Sequence, residues 1–365
     1  MILTVLFYIL VASTTIQIIY LLCFSTILFT KDKKKAIQNI PVSVIICAKN
    51  EAKNLKKHLP FIINQQYNTF EILLINDAST DDTLEVMQQF KKQHNSIRIV
   101  NVENIEAFWG NKKYALTLGI KAATYEHLLF TDADCKPVSK HWIQEMMNCF
   151  SNAKSIVLGY GKYQYQNSLL NRLIRFETLL TAIQYFSYAK LGSPYMGVGR
   201  NLAYTKKEFF KTKGFINHIQ VKSGDDDLFI QEAATNDNTT FTIRPESYTF
   251  SESPKTLKQL FRQKRRHIST SSHYKFKHQF FLSLYFISKV LLYSLTAIFL
   301  FVNWQFSIVL FALYILSLYV VIGFATKKFK EKNLLLYLPF LEIFLLLFQF
   351  TIFISNTFSK PTHWN

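Results

Sequence analysis

Long apolar blocks at the two ends of the chain enclose a middle region in which short apolar runs alternate with amphipathic stretches. Residues 2–29 are almost uncharged, and three further apolar stretches lie at about 280–302, 305–325 and 334–355. Each is near the roughly 20 residues a helix needs to cross a bilayer. In the middle region VSVIIC (42–47), opened by Pro41, predicts a strand, followed by Ala48-Lys49-Asn50-Glu51 and a helix to about Asn64. EILLIN (71–76) predicts a second strand, ending at Asp77-Ala78-Ser79-Thr80-Asp81-Asp82. Ser, Thr and Asp there suit the cap of a helix running to about Gln93. RIVNV (98–102) predicts a third strand; a loop with Trp109-Gly110-Asn111-Lys112-Lys113 and a helix from Tyr114 to Ala123 lead to a fourth, Leu128 to Phe130. Uninterrupted apolar runs suit strands buried on both faces. Four rounds of strand and helix predict a doubly wound, mostly parallel α/β sheet. Residues 167–190 then place Leu170, Leu173, Ile174, Leu180, Ile183 and Tyr185 near helical spacing. This amphipathic helix is expected to pack on the sheet, with the membrane interface as the alternative.

Charge orients the apolar blocks. Lys31, Lys33, Lys34 and Lys35 follow the first, Lys275 and Lys277 precede the second, and Lys327, Lys328, Lys330 and Lys332 separate the third from the fourth. The link around Asn303 and Trp304 has no charge. The positive-inside rule then makes the middle region cytoplasmic and puts both termini outside a plasma membrane. No basic residues precede the first block and no small-x-small pattern follows it, so it reads as a retained helix and not a removable signal. The expected organisation is a membrane helix over 1–30, one globular domain over 36–275, three membrane helices over 280–355 and a short tail over 356–365. The net charge of +18 does not call for a nucleic-acid partner. Much of it flanks the apolar blocks, where anionic lipid attracts it, and neither zinc-finger spacing nor an RNA-binding aromatic signature is present. The four cysteines lack metal-ligand spacing and read as reduced thiols. Lys289 and Glu342 stand inside apolar blocks; they pair in a helix bundle, or Lys289 snorkels to a membrane face.

The candidate chemistry gathers after the strands. Glu51 and Asp77 follow the first two, and Asp132 and Asp134 follow the fourth in HLLFTDADCKP. In open α/β sheets ligands bind at the carboxyl ends of strands. Two carboxylates one residue apart offer hard oxygen donors, suited to Mg²⁺ or Mn²⁺ carrying a diphosphate. Further on, Ser223-Gly224-Asp225-Asp226-Asp227-Leu228 sets three carboxylates in a row. Such crowding disfavours the ionised forms, whereas a helix N-terminus favours them. QLFRQKRRH (259–267) packs Arg262, Lys264, Arg265 and Arg266 into five residues, suiting lipid headgroups or a diphosphate.

In order, these motifs resemble the inverting glycosyltransferases of family 2, with their A-type nucleotide-sugar (GT-A) fold, over about Val42 to His267. VSVIICAKNE resembles the family's first strand and nucleotide contact, which implies roles for Ala48 and Glu51. LLINDASTDDT implies that Asp77 meets the base. WGNKKYALTLGI places Lys112 or Lys113 near the nucleotide. TDAD implies Asp132 toward the ribose or diphosphate and the metal, with Asp134 on the metal. SGDDDLF is similar to the acidic motif with the catalytic base, falling on Asp226 or Asp225, with Asp226 favoured. QKRRH stands where many membrane members have Gln-x-x-Arg-Trp, implicating Gln263, Arg265 and Arg266. The resemblance departs from the family pattern in two places: His267 replaces the Trp, and the acidic run is compressed. It implies a membrane glycosyltransferase using Mg²⁺ or Mn²⁺ and a nucleoside-diphosphate sugar, UDP ahead of GDP, with a lipid or lipid-linked acceptor. The rival readings are a processive polysaccharide synthase and a non-catalytic nucleotide-binding scaffold. A channel or transporter fits poorly with apolar blocks nearly free of ionisable residues.

Overall fold

A computed structural model describes residues 1–30, 38–103, 112–221, 223–331 and 333–359. Trp109, Gly110 and Asn111 of the expected loop, the lysines at 31 and 33–35, and Lys332 lie outside the described residues. The chain forms two compact units: Met1–Lys31 with Asn167–Ser187 and Ser271–Lys360, and Asp32–Gln166 with Tyr188–Thr270.

The second unit is the α/β domain. Along the chain its strands are β1 (Val42–Ala48), β2 (Phe70–Asp77), β3 (Ile97–Val102), β4 (His127–Phe130), β5 (Cys135–Pro137), β6 (Ile156–Leu158), β7 (Gly161–Tyr163), β8 (Leu202–Thr205), β9 (Thr239–Phe241) and β10 (Thr249–Ser251). Seven of them form one sheet in the order β3-β2-β1-β4-β8-β6-β9. β1, β2, β3 and β4 are mutually parallel, β8 runs against both β4 and β6, and β9 is parallel to β6. The sheet is therefore mixed, with β8 the reversed strand. β5, β10 and β7 make a second, three-stranded sheet.

Helices cover the large sheet because its strands are apolar on both faces. Val44, Ile46, Ile72, Leu74 and Leu129 share one buried cluster with Leu55, Leu59 and Ile62 of the helix Ala52–Ile63 and Val86 and Met87 of the helix Thr83–Gln93. Burying each such side chain contributes about 1.5–3 kcal/mol. The helix Lys112–Ala122 lies against Ile75 and Leu73 through Gly119. A Cβ at Gly119 would fall 2.1 Å from Ile75 Cδ1, so only glycine permits this approach.

The first unit contains helices Ile2–Ser25, Phe276–Val302, Trp304–Lys328 and Leu338–Phe358. Four segments among the described residues, Ile2–Phe29, Phe276–Val302, Trp304–Lys328 and Leu335–Phe358, are long and apolar enough to cross a membrane. Lys289 does not snorkel. Its Nζ lies 2.8 Å from Glu342 Oε1 and 2.9 Å from Tyr285 Oη, while the Tyr293 and Tyr314 hydroxyls donate to the same carboxylate. Gln17 joins the first helix to this group by donating to the Tyr285 carbonyl (2.7 Å) and Ser288 Oγ (2.8 Å).

The amphipathic helix Leu169–Lys190 corrects the expectation that it belongs to the sheet, because residues 167–187 fall in the unit of apolar helices. Its buried polar residues give the reason. Arg175 makes an ion pair with Glu331, Nε at 2.8 Å, with both side chains almost wholly buried. Ser187 Oγ donates to the Phe24 carbonyl at 3.2 Å. A buried guanidinium needs such a carboxylate, and periodicity alone does not show where one lies.

Candidate active site

The loops leaving β1 and β2 are stitched together. Asn50 Oδ1 accepts from the Thr80 amide at 2.8 Å, the Asn50 amide donates to Ser79 Oγ at 3.0 Å, and the Glu51 amide donates to Thr83 Oγ1 at 2.8 Å. Asn50 (φ 57°) and Ala78 (φ 48°) hold left-handed conformations at these strand ends, a form of strain that collects at functional sites. Ala48 is buried at the end of β1, paired with Asn76. Asp77 is 5% exposed, and burial pushes its carboxyl up while Lys49 and Lys112 pull it down. Glu51 is half-buried and accepts from Asn54. Burial raises its carboxyl too, with Asp134 and Asp132 adding to the effect. Glu51 thus lies within electrostatic range of the D-x-D pair.

Asp132 and Asp134 follow β4 directly. Asp132, Asp134 and Cys135 each bring one potential ligand atom within 4.8 Å of the others. Burial and the adjacent Asp132 raise the Asp134 carboxyl, against the opposing pull of Arg200 and Lys112. Burial also holds the Cys135 thiol far above its usual range. It stays protonated and donates to Asp134 Oδ1 at 3.3 Å. Two neighbouring carboxylates fit a hard divalent cation; a protonated thiol does not compete for it.

The second sheet backs this pair with an arginine to which sequence reasoning gave no role. Arg200 lies 4.3 Å over the Tyr163 ring of β7, and its Nη1 donates to Ser251 Oγ of β10 at 2.7 Å. Burial opposes its charge, but Tyr163, Cys135, Asp134 and Asp132 raise its pKa regardless. The cue in the sequence was an arginine within GVGRN, between glycines and the apolar start of β8. Gln263 Nε2 donates to the Tyr163 hydroxyl at 3.3 Å, which ties the QKRRH helix (Leu257–Ser269) to the arginine's support. Arg265 lies over Phe261 of its own helix, and the Arg266 carbonyl accepts from Ser269 Oγ. His267, at the family's Trp position, is exposed.

The acidic run closes the cleft from the other side. Lys112 Nζ bridges it to the D-x-D, 3.1 Å from Asp132 Oδ1 and 2.9 Å from Asp225 Oδ2. Burial alone would raise Asp225, but the Lys112 charge and hydrogen bond hold its carboxyl below the usual range. Asp226 differs. Burial, then Asp225 and Asp227, push it up to about 7. It caps the helix Asp227–Ala233, with Oδ1 accepting from the Asp227 amide (2.7 Å) and Oδ2 from the Gly199 amide (2.8 Å). Asp227 turns away, taking a 2.5 Å hydrogen bond from Thr270 Oγ1. Gly224, at φ 93°, makes the turn into the run, where a Cβ would meet Leu228 at 2.6 Å. Cys47, Lys112, Asp132, Gly199, Asp225 and Asp226 line one cleft. Lys113 points elsewhere: its Nζ donates to the carbonyls of His218 (2.7 Å) and Val221 (2.9 Å), and burial lowers its pKa to about 8.

Residues 43–215 match the family described as glycosyl transferase family 2. Over 111 residues the chain is 32% identical to a poly-beta-1,6-N-acetyl-D-glucosamine synthase of Staphylococcus epidermidis, covering 30% of this chain and 25% of that protein. Over 218 residues it is 25% identical to a 4,4'-diaponeurosporenoate glycosyltransferase of Staphylococcus haemolyticus, covering 56% of each. The chain thus spans between a quarter and about half the length of these relatives. Among solved structures it is similar to a mannosyltransferase from Pyrobaculum calidifontis in complex with GDP-Man and Mn²⁺, with a TM-score of 0.62 and 16% identity over 90% of this chain and 99% of that one. That likeness is one of fold.

Proposed function

We propose that this chain, whose residues 43–215 match glycosyl transferase family 2, transfers a sugar from a nucleoside diphosphate to a lipid or lipid-linked acceptor at a membrane. One observation carries the reading: Asp132 of the D-x-D after β4 lines one cleft with Asp225 and Asp226 of the acidic run, and Lys112 bridges Asp132 to Asp225.

Asp134 and Asp132 would hold Mg²⁺ or Mn²⁺, which supplies positive charge for the leaving diphosphate. Lys112 adds a second cation beside Asp132, where negative charge grows as the anomeric C–O bond to phosphate breaks. Arg200, behind Asp134, keeps the carboxylate in place. Ala48, Glu51 and Asp77, on the joined loops after β1 and β2, contact the nucleoside. Gln263, Arg265 and Arg266 belong to the donor side through the QKRRH helix. Asp226, poised near pH 7, takes the proton of the acceptor hydroxyl as its oxygen bonds to the anomeric carbon. Attack opposite the leaving diphosphate inverts that carbon. Asp225, kept ionised by Lys112, raises the basicity of Asp226.

Lysines beside the apolar helices support a cytoplasmic catalytic domain over about 36–275, between the membrane segments 1–30 and 280–355, with 356–365 as a tail. The donor is a UDP-sugar ahead of a GDP-sugar; the Pyrobaculum fold relative, solved with GDP-Man and Mn²⁺, keeps both in view. The test is to incubate the purified full chain with UDP- and GDP-sugars, Mg²⁺ or Mn²⁺, and a membrane-lipid extract, then analyse products by mass spectrometry. A single-sugar increment on a lipid is the expected result. No consumption of any donor would overturn the assignment and favour a nucleotide-binding scaffold. Similarity to the staphylococcal polysaccharide synthase supports repeated transfer as the second reading, which a ladder of products would establish.

A further inference from the structure

Lys113 is 1% exposed, yet it carries an ammonium group. A buried lysine is costly to keep unless its donors find acceptors. This one directs Nζ to two backbone carbonyls, His218 at 2.7 Å and Val221 at 2.9 Å. Both belong to the segment that enters the Gly224 turn and delivers Asp225 and Asp226.

We infer that Lys113 is a positioning residue for the Asp225–Asp226 pair, an inference that rests on the transferase reading above. The acidic run is held at three places. Downstream, Asp227 is fixed by Thr270 Oγ1. At the base itself, the Gly199 amide holds Asp226 Oδ2 at 2.8 Å. Upstream, the chain reaches Gly224 only three residues after Val221, whose carbonyl Lys113 grips. Gly224, at φ 93°, takes a conformation that L side chains rarely adopt and that leaves the turn freedom of its own, so an anchor at Val221 limits where this turn can carry the carboxylates that follow.

The neighbouring residue makes the placement consequential. Lys112 and Lys113 begin one helix, Lys112–Ala122, which Gly119 seats tightly on Ile75. Lys112 binds the carboxylates of Asp132 and Asp225. Lys113 binds the backbone leading to Asp225. One rigid helix start therefore sets the distance between the donor side of the cleft and the base.

The experiment compares wild type, Lys113→Met and Lys113→Arg as full-length proteins, in steady-state turnover of the best donor with Mn²⁺. In Lys113→Met, kcat falls by roughly 10- to 100-fold, the effect of a displacement near 1 Å at a reacting group, while the donor KM changes less than about two-fold. Lys113→Arg, which retains charge and donors, recovers much of the lost kcat. If Lys113→Met loses nucleotide binding through misfolding, Lys113→Gln, with one amide donor on a shorter stem, is measured in its place. A kcat within two-fold of wild type overturns the inference, as does a parallel loss of kcat and donor affinity. Inactive wild type refutes the transferase reading itself; active wild type with an indifferent Lys113→Met refutes this inference alone.

Discussion

Lys112 Nζ stands 2.9 Å from Asp225 Oδ2, and the same ammonium is 3.1 Å from Asp132 Oδ1. One cation therefore neutralises a carboxylate from each motif. Its charge separates the fates of two adjacent aspartates: Asp225 is held ionised, while Asp226 is left near 7. Environments that push paired carboxylates apart in this way commonly mark an acid–base assignment.

Removing that cation is expected to be worse for turnover than for folding. In Lys112→Ala, Asp132 and Asp225 face each other without a counter-ion, and the leaving diphosphate loses a stabilising charge. A drop in kcat/KM of roughly 10²-fold is expected, the scale of removing one electrostatic stabiliser from an active site. Steady-state kinetics across a donor series checks this, and near-normal kcat/KM would remove Lys112 from the mechanism.

Asp226→Asn is expected to cut kcat by roughly 10²–10⁴-fold, the range for loss of a general base. In wild type the base works when deprotonated, so kcat/KM rises with pH up to about 7 and then levels. The sign for stability is the opposite. The folded carboxyl, near 7 against an ordinary 3.8, binds a proton more tightly than the unfolded one, so its contribution declines as pH rises between those values. The inactive Asn variant is therefore expected to unfold at a higher temperature than wild type at pH 8, with the gain vanishing below about pH 4. Thermal unfolding at the two pH values measures it; a variant less stable at pH 8 would contradict the buried, crowded environment assigned to Asp226.

β1, β2 and β4 were legible because they are apolar on both faces and lead into acids. Glu51, Asp77, Asp132 and Asp134 could each be placed at a strand end before any coordinates. What escaped was short or non-local. β5 to β10 run three or four residues each, too few for a periodic signal. The small sheet is assembled from segments as far apart as Cys135 and Ser251. Arg200 is positioned by that sheet, so its role was hidden with it. Lys112 and Lys113 look interchangeable in sequence; only the first-turn geometry of their helix sends one to the carboxylates and the other to a loop backbone.

The metal site carries an outcome of its own. Burial and Asp132 raise the Asp134 carboxyl, so its charge is unfavourable until a cation arrives. Mn²⁺ is expected to raise the melting temperature of wild type, by linkage worth about 2.7 kcal/mol at a hundred times Kd. Asp134→Asn is expected to abolish that rise, lose donor turnover, and melt no lower than wild type without metal. Differential scanning fluorimetry with and without Mn²⁺ separates these. A Mn²⁺-induced shift that survives in Asp134→Asn would place the cation elsewhere.

The Lys289–Glu342 pair offers a test inside the apolar unit, where it joins Phe276–Val302 to Leu338–Phe358. Tyr293 and Tyr314 also donate to Glu342, so the carboxylate is the hub and the lysine one of its partners. Lys289→Met leaves a buried anion with only hydroxyl donors and is expected to destabilise by about 3–5 kcal/mol, the usual effect of breaking a buried pair from one side. Lys289→Met combined with Glu342→Gln removes both charges and is expected to recover most of that loss, because the desolvation of two ions disappears together with their attraction. Unfolding of the four variants in detergent closes the cycle. Additive losses in the double variant would mean that the two residues act independently, and that the tyrosines alone hold Glu342 in the bundle.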